Sequence, residues 1–219
     1  MMKGDIEQRL RKIVQVSTRK AAINEWSQAT NNQKIPLYDY RGDHIDEVVV
    51  LAKHLAEGTS ADIEVITLAA WLHDLAKPGV RGIPAQHHGI VSAEMAEEIL
   101  TKEKVDRATI VKVSYVIRKH VGLTLKEPLE PIEAQIVWEA DKILKLGMIG
   151  LIQGFLNGVR LFPGRSMEIL ANEIREFLQL AKQITECMVT DRAKEIAQER
   201  LSTLHMVSET LDSELKPKR

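Results

Sequence analysis

The sequence predicts an all-α protein. Apolar residues recur at helical spacing and alternating strand patterns are absent. Aromatic residues make up only 4% of the 219 residues, while Ala, Leu, Glu, Lys and Ile dominate. Glycines, prolines and capping residues cut the chain into segments of helical length. Residues about 5–30 read as a first helix or helix pair, ended by the polar "TNNQK" stretch and Pro36. Asp43 is placed to cap a helix that runs to Gly58, and a third helix starts near Ser60 and stops before Pro78. "PGVRGIPAQ" is a loop, and a helix follows from about His87 to Leu100. Asp106 caps the next helix, which ends near Gly122. After the loop "GLTLKEPLEP", a helix from Ile132 ends around Gly147. The glycine-rich "GMIGLIQGFLNG" predicts short packed helices, and Ser166 to about Leu215 predicts one or two long ones. With no repeat, low-complexity segment or linker, residues 1–219 are expected to form a single domain.

Composition excludes several function classes. Apolar residues are 44%, enough for a sizeable core, and the net charge of −1 has both signs interspersed. That balance gives no basic surface for nucleic acid or for an anionic membrane. Cys187 is the only cysteine, which excludes an intramolecular disulfide and a thiolate zinc site. Its setting, "TECMV", reads as one side of a helix and therefore a packed thiol. "MMKGDIEQRLRK" lacks the apolar core of a signal peptide and no apolar run reaches membrane-spanning length, so a cytoplasmic location is expected.

The stretch "AAWLHDLAKPG" carries His73 and Asp74 into an apolar run that contains no opposite charge. An unpaired imidazole and carboxylate are both costly to bury, so something must compensate them. Other polar residues share this problem. His44 lies on the stripe of Val48, Leu51 and Leu55, and His88 on that of Ser92, Met95 and Ile99. His120 is in line with Val113, Val116 and Ile117, and Asp141 with Ala134, Val137 and Leu144. Burying them separately would cost several kcal/mol, comparable with the whole stability of a domain. A shared metal centre removes that cost. His54 and His205 fall on surface positions, and His87 is one helical step off the His88 face. Nitrogen and oxygen donors without sulfur suit Mn, Fe, Zn, Co or Ni, and Mg less well because of the imidazoles. Neighbouring helical residues point about 100° apart, so His73 and Asp74 reach one site only beside a helix end. Pro78 sets that end a few residues on.

The ordered series His44, His73–Asp74, Asp141 resembles the HD superfamily of metal-dependent phosphohydrolases. The likeness covers roughly residues 38–155, through "YDYRGDHIDEVVVLAKHLA", "ITLAAWLHDLAKP", "HHGIVSAEMAEEIL", "VIRKHVG" and "IVWEADKILKLGMIG". It implies a helical bundle with an HD core over about 38–155 and C-terminal helices over about 166–215. With His88 and His120 the pattern is similar to the two-metal subset, H…HD…H…H…D. By that resemblance His44, His73, Asp74 and Asp141 hold one ion, and Asp74 bridges to a second held by His88 and His120. His88 is chosen over His87 because it lies four residues before the "SA" step.

The implied cofactor is one or two divalent ions per chain. The implied reaction is hydrolysis of a phosphate ester or phosphoanhydride of a small phosphorylated metabolite or nucleotide, through a metal-bound hydroxide. Asp74 is the catalytic carboxylate, and Lys77 is a point charge on the phosphate. Arg41 and Arg81 are candidates for bidentate phosphate contact. Departures narrow the class. The Gly-Tyr-Pro signature of cyclic-dinucleotide phosphodiesterases and the acidic pair of stringent-response hydrolases are both missing. Lys77 stands where single-metal deoxynucleotidases carry a glutamate. The ligand set leaves open a mixed-valent di-iron oxygenase and a non-catalytic sensing module. Nucleic-acid and membrane partners are not expected, and homo-oligomerisation is left open.

Overall fold

The computed structural model describes residues 3–29, 38–76 and 85–216. Among the described residues there are nine α-helices and one 3-10 turn, Ala85–His87, and no strand. The helices are α1 Lys3–Ala29, α2 Tyr40–Ala56, α3 Ile63–Leu72, α4 His88–Lys102 and α5 Arg107–Lys119. They continue with α6 Ile132–Ile143, α7 Gly147–Leu161, α8 Met167–Glu186 and α9 Asp191–Leu215. Several starts have a visible cause. Asp62 accepts hydrogen bonds from the backbone N–H groups of Glu64 and Val65, Asp106 from that of Thr109, and Ser166 from that of Ile169.

Two elements differ from the sequence expectation. Asp39, not Asp43, occupies the position before α2, and Asp43 lies inside the first turn, where its charge favours the helix N-terminus. The glycine-rich segment forms one 15-residue helix, α7, where short helices were expected. A Cβ on Gly158 would lie 2.3 Å from Arg165 Nη1, so the bare backbone is what lets this arginine lie against α7. Cys187 is the residue that closes α8, and its Sγ accepts from the Leu125 N–H at 3.2 Å.

The chain divides into two compact units, residues 1–122 with 129–141 and residues 123–128 with 142–219. In the first, α3 packs against α1, α2, α4 and α5. Every residue from Leu68 to Ala76 is buried, as expected for a helix that is apolar all round. Residues Ala134 to Asp141 of α6 are likewise all buried. In the second unit α9 packs against both α7 and α8. No helix among the described residues is long and apolar enough to cross a membrane.

Candidate metal centre

Helix ends assemble this site. His73 closes α3 and Asp74 sits in the turn that follows, so the HD pair is beside a helix end as its spacing requires. His120 closes α5 and His88 is the first residue of α4. His44 lies in the second turn of α2 and Asp141 near the end of α6. All lie in the first compact unit, and all but His88, which is 14% exposed, are buried.

The structure brings these six residues together around Asp74. Its Oδ2 lies 3.8 Å from His44 Nε2 and 3.5 Å from His73 Nε2. Its Oδ1 lies 3.4 Å from both His88 Nε2 and His120 Nε2. His44 Nε2 also lies 3.0 Å from Asp141 Oδ1. Two groups, His44–His73–Asp141 and His73–Asp74–His120, each bring one donor atom per residue within 4.8 Å of the others.

The ring nitrogens test whether these residues fit a metal. His73 Nδ1 donates to the Ala70 carbonyl at 2.7 Å, and His120 Nδ1 donates to the Ile117 carbonyl at 2.5 Å. A carbonyl only accepts, so both Nδ1 atoms carry the proton. Burial lowers the His73 pKa to about 3, against the opposing pull of Asp74, so the ring is neutral and Nε2 keeps its lone pair. That Nε2 is buried with no hydrogen-bond partner among the described residues. His88 Nε2 and His120 Nε2 approach to 3.0 Å, a distance at which two ring nitrogens share a proton or meet at a cation. An inward-facing lone pair, a tautomer fixed by a backbone carbonyl, and carboxylate oxygens within reach are what an N/O-ligated divalent ion needs.

His87 is exposed in the 3-10 turn, and His54 and His205 are exposed as well. Arg41 is not at a solvent rim. It is 3% exposed, and its guanidinium fork meets Glu25, with Nη1 2.8 Å from Oε2 and Nη2 on Oε1. Burial works against its charge, but Glu25, with help from Tyr40 and Asp74, raises its pKa overall. Lys77 and Arg81 lie outside the described residues.

Three supporting residues escape the sequence reading. Glu25 gives no sequence signal, because it reaches Arg41 from another helix. Ser92 Oγ accepts the Ala76 N–H at 3.0 Å and so pins the turn that holds Asp74. Gly89 follows His88, and a Cβ there would lie 2.5 Å from Val121 Cγ2 and 3.2 Å from the Ile117 carbonyl oxygen. Its bare backbone brings the start of α4 against the end of α5, so that His88 meets His120. A glycine opening a predicted helix is the one signal that could have found it.

Comparison with known proteins agrees with this geometry. Residues 41–146 match the HD domain family. The chain is 28% identical to the uncharacterized protein YpgQ of Bacillus subtilis over 184 residues, spanning 81% of this chain and 84% of YpgQ. Its fold is similar to that of an HD-superfamily hydrolase from Bacillus thuringiensis, with a TM-score of 0.72 at 20% identity over 99% of this chain and 100% of that one. Bacillus subtilis YpgQ in complex with ADP gives a TM-score of 0.69 at 20% identity over 96% and 98% of the two chains. Residues 41–146, which hold all six residues of this centre, are an HD domain.

Proposed function

We propose that the chain is a metal-dependent phosphohydrolase that cleaves a phosphate ester or phosphoanhydride of a small phosphorylated metabolite or nucleotide. The division of Asp74 carries this reading: one carboxylate oxygen faces His44 and His73, and the other faces His88 and His120. That arrangement suits two adjacent cations, with His44, His73 and Asp141 toward one and His88 and His120 toward the other. Divalent metal in such a site lowers the pKa of bound water and polarises a phosphoryl oxygen.

The remaining work falls to the chain. The Nδ1–H groups of His73 and His120 stay hydrogen-bonded to backbone carbonyls, which keeps both rings aimed inward. Asp74 lies 3.4–3.8 Å from an Nε2 of all four rings, and it would take up the proton that an attacking water loses. Glu25 occupies the Arg41 fork, so in this reading Arg41 acts on Asp74 by its charge. Lys77, three residues after Asp74, and Arg81 supply the charge that meets the phosphate. The ADP bound by YpgQ supports a nucleotide-type ligand.

The test is release of phosphate or pyrophosphate from a panel of nucleotides and phosphorylated metabolites, with Mn, Co, Fe or Mg added. Metal-dependent release that Asp74→Asn abolishes is the expected result. No release under any metal, together with dioxygen uptake by the reduced iron form, would transfer the site to the di-iron oxygenases.

A further inference from the structure

The second compact unit carries an apolar surface that the metal centre does not explain. On α7, Met148, Ile152, Phe155, Leu156 and Val159 follow one another at i, i+4, i+7, i+8 and i+11, which is one face of a helix. Each is between 38% and 71% exposed. Beside Phe155 runs a groove of about 500 Å³ between α8 and α9, walled by Met167, Leu170, Met206 and Leu211. Met167 and Met206 at its edges are 53% and 60% exposed.

The size of this face decides what covers it. Side chains of this bulk present on the order of 150–200 Å² each when fully exposed. The α7 stripe with Met167 and Met206 therefore offers roughly 540–720 Å² of apolar surface, at or above the largest patch of a typical monomer. Two such faces together bury about 1,080–1,440 Å², which clears the roughly 1,000 Å² that a specific interface needs. The face is also self-complementary. It holds a ridge, formed by Ile152, Leu156 and Val159, next to a groove, so a two-fold axis seats each ridge in the other copy's groove. Its charges do not suit a lipid surface. Arg165 pairs with Glu173 and Arg175 with Asp212, and Glu214 stands at the groove itself.

We propose that this α7–α9 face is the interface of a homodimer, with the α7 ridge of each protomer in the α8–α9 groove of its partner. Sedimentation equilibrium on the full chain tests it. The wild type should sediment at about twice the 24.7 kDa of one chain. Val159→Glu on the ridge and Met206→Glu in the groove should each raise the dimer dissociation constant by about tenfold or more, since each change enters a two-fold interface twice. Val50→Glu, on the 70% exposed Val50 of α2, should leave it unchanged. Far-UV circular dichroism checks that each variant keeps its helices. A wild type that sediments as one chain at every soluble concentration overturns the proposal, as does a dimer indifferent to both ridge and groove substitutions. A monomer that floats with phosphatidylcholine vesicles also overturns it, and gives the face to lipid.

Discussion

His73→Asn in chelator-treated protein isolates one consequence of burying this site. Asparagine keeps a donor near the position of Nδ1, and so keeps the bond to the Ala70 carbonyl, but it removes the titrating ring. Burial lowers the His73 pKa from 6.5 to about 3, against the pull of Asp74 toward the protonated form. With the folded pKa depressed, the unfolded chain takes up a proton that the folded chain refuses. The stability contributed by the neutral ring is therefore fully present above 6.5 and is lost as pH falls toward 3. Within that window one group changes stability by about 1.4 kcal/mol per pH unit, and integration from about pH 6.5 to about pH 4.5 gives a loss of about 2 kcal/mol. Urea unfolding in EDTA at those two pH values measures it. Every other titrating group is common to both proteins, so the wild type should lose about 2 kcal/mol more than His73→Asn over this interval. Equal losses would refute the claim that burial holds this imidazole neutral.

The other predictions concern the metal and the substrate. A divalent ion at one hundred times its dissociation constant adds about 2.7 kcal/mol. For a chain of this size that raises Tm by about 5–11 °C, and Asp74→Asn should abolish the rise. An undiminished rise in the variant would remove Asp74 from the ligand set. Gly89→Ala forces a methyl group into Val121 and the Ile117 carbonyl, so it should part His88 from His120. Metal analysis should then fall from about two ions to about one per chain; two ions retained would count against that role for Gly89. Lys77→Ala should leave metal content unchanged and lower turnover by the equivalent of about 2–4 kcal/mol in transition-state stabilisation. Loss of metal in that variant would make Lys77 part of the metal site and not of phosphate binding.

Much of the fold was legible because the helices announce themselves locally. Asp106 and Ser166 cap where their side chains predict, and the apolar run before His73 is buried all round as it reads. α7 was not legible, because glycine lowers helix propensity while tertiary packing outweighs propensity. The site was legible to the extent that its members break a pattern. His44, His88, His120 and Asp141 are polar residues on apolar stripes, and the structure gathers them at Asp74. Residues that keep the pattern stayed hidden. Glu25 looks like an ordinary surface charge, and its pairing with Arg41, 16 residues on, depends on how α1 meets α2.

The use of helix ends explains how so polar a cluster sits inside a small core. A helix leaves its last carbonyls without intrahelical partners, and a buried histidine needs an acceptor for one ring nitrogen. At the ends of α3 and α5 each requirement meets the other: His73 Nδ1 serves Ala70, and His120 Nδ1 serves Ile117, both three residues back. The partial negative charge of a helix C-terminus favours the same N–H donation. Two costs of burial thus offset one another before any metal is bound. The opposite ring edges carry the Nε2 atoms, which face the two oxygens of Asp74. A site built this way directs its ring nitrogens and carboxylate oxygens at one small volume, and a divalent cation is the simplest group that meets them all together.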